Sequence, residues 1–461
     1  MSIWEVWGLI FQYVGNIVSV VLVLAILSGR KEARATLGWV LFVLILPYAG
    51  AVAYLVFGRT HLRMPERLAA HPRPYCPVPR KDLPESVRRT TQLTLREPVT
   101  CDRLELLPDA AVTYARLEED LAAARHRIVM CYYVFRRDAT GRRMLDLLAR
   151  KASEGVEVYF LYDGWGAFGL NLAGFLRPYR RRGLQARPFH PVADPLQMSR
   201  INFRNHRKVV VIDGQVGYTG SINIGDEYLG LHPRFGPWKD AHVRFEGAAA
   251  WALEGVFRDD WRIATGEVLE PSPQPDEPGR TWVHVIPSGP NVGEDTLFPL
   301  IFAQFAAARR SIDICTPYLI PDYGLVAALR IAARQGVRVR VLVPGKSNHP
   351  LVAAAGRSYY DDLLEGGVEL YETRGGMLHA KGILVDEAWA LVGSANLDNR
   401  SFHLNFEINL ATADAGFCQA FARLFGTWLA ESASIPMELL AARGLPRRLL
   451  EGACRTLSPV L

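Results

Sequence analysis

Two long apolar stretches open this chain, and the pattern changes character after them. Residues 6–27 are apolar apart from Gln12, Asn16 and Ser19, and residues 37–57 include no charged side chain. At about 1.5 Å of rise per residue, each run is long enough to cross a hydrocarbon layer of about 30 Å. The spacing therefore predicts a two-helix transmembrane hairpin over residues 1–59, with Pro47 kinking the second helix. Glu5 stands where a cleaved leader would carry basic residues, and a second apolar run follows closely, so the hairpin reads as an anchor. Trp4, Trp7, Trp39 and Tyr54 fall near the ends of the runs, where amphipathic rings suit the membrane interface.

From 60 to 100 the pattern is interrupted by Pro65, Pro72, Pro74, Pro77, Pro79 and Pro84 and interspersed with arginine. This predicts a basic linker near lipid headgroups, without a long helix. From residue 101 the chain repeats itself. Residues 122–131 are matched by 306–315, a helix end running into a buried strand. Residues 145–154 and 325–335 have helical periodicity, and each leads through Gly-Val into an alternating strand, over 155–162 and 336–343. Helix then strand, twice over, predicts two mixed α/β halves, 101–270 and 271–461, joined by the proline-rich and acidic stretch 271–278. The offset between the copies is 181 residues at Gly155 and Gly336 but 173 at His206 and His379, so the first half carries about eight extra residues. They fall in 189–205, a predicted loop at the mouth of a site.

That site is marked by a pattern present once in each half. His206-x-Lys208-x4-Asp213 recurs as His379-x-Lys381-x4-Asp386, and after each Asp come six residues and then Gly220-Ser221-Ile222-Asn223 or Gly393-Ser394-Ala395-Asn396. Read with the aliphatic run that follows, His-x-Lys is strand-like and puts imidazole and ammonium on one face. Gly-Ser-x-Asn adds a turn bearing a hydroxyl and an amide, so Ser221, Asn223, Ser394 and Asn396 are candidate phosphate-binding donors. Together the groups describe a phosphate site with a nucleophile on one side and a proton donor on the other. A lone histidine on a strand is more often a packing residue, but two full copies at equivalent places argue for chemistry. Asp240 and Glu407 each open a later alternating strand and are the candidates for orienting the histidines, because a carboxylate accepting from one ring nitrogen fixes the tautomer. Asp213 and Asp386 complete the motif. They lie five residues past the lysines, on the opposite face and about 17 Å away, which favours a structural role over a chemical one.

Composition and charge narrow the setting. A net charge of +6 points to an acidic partner, either nucleic acid or an anionic membrane, and the apolar amino-terminal runs select the membrane. Cys76, Cys101, Cys131, Cys315, Cys418 and Cys454 are scattered singly and read as free thiols, with no zinc-like spacing. Arg30, Lys31 and Arg34 in the short loop nearly balance Arg59, Arg63, Arg67 and Arg73 after the second run. The free thiols and the basic flank then favour a cytoplasmic catalytic part. Arg443, Arg447, Arg448 and Arg455 alternate with leucines, as in either an amphipathic basic tail or a packed terminal helix.

The paired motifs resemble those of the phospholipase D superfamily. Thr36-Leu37-Gly38-Trp39, the step at 47–50, Tyr54-Leu55-Val56-Phe57-Gly58-Arg59 and the stretch 401–409 are similar to bacterial cardiolipin synthases, so the likeness spans nearly the whole chain. The resemblance implies two pseudo-symmetric α/β halves, each a mixed sheet flanked by helices. It implies a cell-membrane phosphatidyltransferase that joins two phosphatidylglycerol molecules into cardiolipin, with release of glycerol, through a phosphohistidine. By the same resemblance His206, Lys208, Asp213, His379, Lys381 and Asp386 form the catalytic set, with His206 as nucleophile and His379 as acid and base. Neither cofactor nor metal is called for, since the lysines supply positive charge, and the partners are phosphatidylglycerol and other anionic phospholipids. A hydrolase of the phospholipase D type, or a transphosphatidylase using another donor or alcohol, carries the same motifs and is the alternative. A nuclease would share them without a use for the hairpin, and a scaffold would have no need of both sets. The oligomeric state is left open.

Overall fold

The computed structural model describes residues 2–29, 33–58, 83–191, 202–233, 236–275, 279–292 and 296–456. The sequence repeat becomes two sheets of matching topology. In the first half seven strands lie in the order Leu104–Leu107, His242–Glu246, Val216–Gly220, Val209–Ile212, Arg127–Tyr132, Glu157–Asp163, Gln185–Phe189. The last three run parallel, the first crossover being the helix Ala139–Ser153, and the other neighbours are antiparallel. The second half repeats this with Thr281–Ser288, Glu407–Thr412, Trp389–Gly393, Gly382–Val385, Ser311–Cys315, Arg338–Pro344 and Glu369–Thr373. Its crossover helix is Tyr323–Arg334. Both crossover helices are capped by an aspartate, Asp138 or Asp322, and both end at a glycine with positive φ, Gly155 or Gly336, before the next strand.

Continuous burial of Val209–Ile212 and Trp389–Gly393 reflects cover on both faces of each sheet. The outer faces pack on Ala110–Ala123 and Ala139–Ser153 in one half, and on Leu297–Ala307 and Tyr323–Arg334 in the other. The inner faces share one core. Helices Ala248–Thr265 and Ala415–Ala430 lie in it, and it joins Val209, Val211 and Val243 to Leu384, Val392 and Ile408.

Several expectations change. The predicted linker extends to residue 100, but Pro84 instead caps a helix, Glu85–Thr94, whose Val87, Thr90, Thr91 and Thr94 are buried. Val99–Cys101 then pairs with Thr281–Ser288, so this part of the chain is an edge of the second sheet, which also gains Ser432–Ser434 at its other edge. The prolines from 65 to 79, Cys76 and most of the predicted mouth loop lie outside the described residues. The other five cysteines are free and buried. The carboxyl-terminal helix Leu445–Thr456 packs on Pro350–Arg357, with Arg443, Arg447 and Arg455 paired to acids while Leu445, Leu449 and Leu450 stay exposed.

The second apolar run is not one kinked helix. The helices are α1 (Ile3–Leu27), α2 (Ala33–Ile45) and α3 (Pro47–Phe57). Leu46 leaves the helical region, with φ −130° and ψ 74°, because a residue before proline is driven out of it. The chain folds back there, bringing the Trp39 and Tyr54 ring centroids to 5.4 Å. Among the described residues, only α1 is long and apolar enough to cross a membrane.

Candidate active site

The motif loops are extended but are not strands. Regular pairing begins just after them, at Val209 and at Gly382. Their backbone is bonded across to the opposite half instead. His206 N–H donates to the Phe406 carbonyl at 2.9 Å, and Phe406 N–H to Arg204 at 2.9 Å. On the other side, His379 and Ala380 N–H donate to the Lys239 carbonyl at 2.8 and 3.2 Å, next to the parallel pairing of Met377–Leu378 with Trp238–Lys239. Each histidine loop therefore lies beside the residue preceding the other half's carboxylate.

The consequence is a crossed arrangement. His206 Nδ1 lies 3.0 and 2.9 Å from the two oxygens of Glu407, and His379 Nδ1 lies 2.8 Å from Asp240 Oδ2. Burial opposes ionisation of both acids, yet their histidine partners outweigh it and hold each carboxyl below its ordinary value. An ionised carboxylate can only accept, so Nδ1 of each ring carries the proton and Nε2 keeps its lone pair. Burial, opposed by the carboxylates, lowers His206 to about 4 and His379 to about 3, so both rings are neutral near pH 7.

The Gly-Ser-x-Asn residues are placed differently from the expectation. The hydroxyls of Ser221 and Ser394 donate to Asp240 and Glu407, respectively, so they buttress the carboxylates and have no proton left for a phosphate. Asn405 adds an amide donor to Glu407 at 3.2 Å. The Asn223 amide is engaged at both ends, accepting from Val134 N–H at 3.1 Å and donating to Tyr228 Oη at 3.1 Å. Asn396 retains an amide oxygen without a partner among the described residues. The lysines stand where the sequence puts them, each with Nζ donating to the carbonyl of its own histidine at 2.6 Å. Burial lowers Lys208 to about 7, helped by repulsion from Lys381, and Lys381 to about 8 against the pull of Asp240 and Glu407. That mutual influence places both His-Lys pairs in one electrostatic cluster.

Asp213 and Asp386 lie in hairpin turns with φ of 53° and 54°. Asp213 accepts from the N–H groups of Arg125, His126 and Arg127 at 2.8 Å each, and Asp386 accepts from Arg309, Arg310 and Ser311. They fasten the turn to the helix-to-strand junction. This geometry fits the structural role that the spacing favours for both aspartates.

Other side chains at the site escape sequence reasoning. The Tyr133 ring stands T-shaped to His206 with centroids 4.9 Å apart, while the Trp238 and Tyr228 ring centroids lie 5.2 and 5.9 Å from that of His379. Arg207, inside the first motif, is buried and bonds the Glu407 carbonyl at 2.9 Å and the Ser288 carbonyl at 3.1 Å, with Asp260 as its ion partner. The second motif has Ala380 at that position, so the clamp is one-sided. A charged residue between the motif His and Lys, absent from the other copy, was the available signal.

A family profile described as "Cardiolipin synthase, PLD-like domain" matches residues 117–232 and 301–428, one stretch on each half. A second, "Phospholipase_D-nuclease N-terminal", matches residues 17–59. A cardiolipin synthase of Halalkalibacterium halodurans is 35% identical over 100% of this chain and 96% of its own length. The chain belongs to the cardiolipin synthase family. Cardiolipin synthase 2 of Bacillus anthracis is 37% identical over 94% of the chain and 88% of that protein. Phosphatidylserine synthase of Haemophilus influenzae, a solved structure, superposes with a TM-score of 0.61 at 17% identity over 82% of this chain and 100% of its own. Polyphosphate kinase of Porphyromonas gingivalis gives 0.51 at 14% identity over 85% of this chain and 59% of its own. These two likenesses show the fold alone. As a family member the chain is a phosphatidyltransferase acting on phospholipids.

Proposed function

We propose that this enzyme condenses two phosphatidylglycerol molecules into cardiolipin and glycerol through a phosphatidyl-histidine, at the cytoplasmic leaflet. The observation that carries it is the crossed pair of histidine–carboxylate contacts, which leaves two Nε2 lone pairs beside two buried lysines. His206 Nε2 attacks phosphorus, the P–O bond to glycerol breaks, and His379 gives its proton to the leaving oxygen. The second phosphatidylglycerol then enters. Its glycerol hydroxyl returns a proton to His379 as its oxygen attacks phosphorus, and the P–N bond breaks to restore His206. Assignment of the two roles follows the superfamily resemblance.

Burial favours the neutral form of His379 and pulls Lys208 down to about 7. A phosphodiester anion placed among them stabilises their protonated forms, so substrate binding both arms the acid and charges the lysines that hold the non-bridging oxygens. Asn396, through its Nδ2–H donors, is the remaining amide candidate for the phosphate oxygens. Detergent-purified enzyme incubated with labelled phosphatidylglycerol should give cardiolipin and glycerol in equal amounts. Phosphatidic acid as the main product would make it a hydrolase, and no turnover on this lipid would remove the proposed substrate.

A further inference from the structure

We infer that α1 is the one membrane crossing and that α2 and α3 form a re-entrant wedge, entering and leaving on the cytoplasmic side, so that the amino terminus faces outward. This stands on the anchor and is independent of the chemistry proposed above.

Lengths make the first part of the case. α1, with 25 residues, is about 37 Å long, whereas α2 with 13 and α3 with 11 are about 20 and 17 Å, against a hydrocarbon layer of about 30 Å. Contacts along α1 give the direction. Val43 lies at the level of Ser19, and Pro47 and Tyr48 lie further toward the amino terminus, at Gly15 and Phe11. α2 therefore runs antiparallel to α1 and stops part-way along it. α3 then turns back beside α2, with Tyr54 against Trp39. At Gly50 an added Cβ would come within 2.8 Å of Val43 Cα, so only glycine permits this closeness.

Part of the backbone at the tip finds protein partners, which a lipid setting would not supply. The Val43 carbonyl would bond the N–H of residue 47 in a continuous helix, but residue 47 is proline and has none. The buried Ser19 hydroxyl donates to that carbonyl instead, at 3.0 Å. Leu46 N–H still reaches Phe42, Gly50 N–H reaches Leu46, and the Tyr48 hydroxyl donates to the Phe11 carbonyl at 2.6 Å. A broken helix at membrane depth is tolerated where protein covers it, and α1 covers one side of the break, while Leu44, Ile45 and Leu46 stay exposed on the other.

The fold-back also resolves the charge balance. With two spans, Arg30, Lys31 and Arg34 would oppose Arg59, Arg63, Arg67 and Arg73 across the membrane. With a wedge, all seven lie on one side. The positive-inside rule then assigns the side of residue 59 onward, catalytic halves included, to the cytoplasm.

The test uses the full-length chain in a bacterial inner membrane, with Cys76→Ser as the parent and Ser2→Cys, Lys31→Cys or Thr60→Cys added singly. A membrane-impermeant maleimide should label Ser2→Cys in intact spheroplasts, and the other two only after permeabilisation. Labelling of Thr60→Cys on the same side as Ser2→Cys would restore the two-span hairpin and overturn the wedge. Labelling of Lys31→Cys and Thr60→Cys from outside would overturn the sidedness. Wild-type protein gives a check free of substitutions: trypsin should cut the 59–73 flank in inverted vesicles and leave it intact in spheroplasts. Cutting in spheroplasts would count against the inference.

Discussion

Each histidine is oriented by an acid from the other half, and that makes Glu407 and Asp240 the most informative single positions. Glu407→Gln keeps shape but offers an amide that can donate to Nδ1, which favours the wrong ring tautomer at His206. A loss in kcat on the order of 10²- to 10⁴-fold is expected, with KM little changed. Steady-state assay of well-folded variant protein measures it, and near-normal kcat would show that Glu407 does not set the ring. Buried histidines also carry a pH signature. His206 is lowered to about 4 by burial and His242 to about 3, while unfolded rings titrate near 6.5. As pH falls below that value the unfolded chain takes up protons that the folded chain refuses, so stability present at neutral pH is lost on the way to about pH 4. Neither ring nitrogen of His242 has a partner among the described residues, and the ring is fully buried. His242→Leu should therefore show a smaller fall in unfolding temperature between pH 7 and pH 5 than wild type. Equal slopes in thermal melts at the two pH values would contradict this.

At the scale of elements, the two aspartate turns do the joining that backbone pairing alone leaves undone. Each carboxylate gathers three N–H groups from the start of a neighbouring strand. Asp213→Ala should cost about 1–3 kcal/mol, seen as a lower melting temperature, with kcat/KM retained at temperatures where the variant is folded. Asp213→Asn should lose less, since asparagine tolerates positive φ and still accepts. Loss of activity in fully folded Asp213→Ala would return this residue to the chemistry. The halves and their helix-to-strand order were legible in the sequence because strands covered on both faces are written as continuous apolar runs, and a second copy corroborates each. The crossed carboxylates were not, since the spacing around Asp240 or Glu407 says only that a strand begins there. Which histidine each acid meets depends on how two sheets pack. The fold-back at Pro47 was hidden for a similar reason. A proline in an apolar run permits a kink or a break, and the choice is made by Ser19, far back in the chain, and by the close approach of Gly50 to Val43, which no local pattern states. Val99–Cys101 likewise finds its ladder partner far along the chain, where no local pattern points.

Across the whole molecule, neither half is complete: each holds one histidine and the acid for the other, so the shared inner core is a condition of catalysis as well as of stability. Because Lys208 and Lys381 bring the positive charge, exhaustive chelation should leave turnover intact in the assay with labelled phosphatidylglycerol, and loss of activity restored by one particular divalent ion would contradict this. The two halves should also fail differently. A phosphatidyl ester of nitrophenol needs little protonation as its leaving group departs, so His379→Ala should still form the covalent intermediate on this ester and, lacking the base for the second step, should accumulate it. His206→Ala should remain unlabelled with the same ester. Mass spectrometry of the quenched protein should place the adduct on the first motif, and its bond should break in acid and survive in base, as a phosphoramidate does. Adduct on His206→Ala instead would exchange the two roles while keeping the paired mechanism. If neither variant can be trapped while wild type turns over the ester normally, direct in-line transfer between the two lipids becomes the better account, with both histidines acting only on protons.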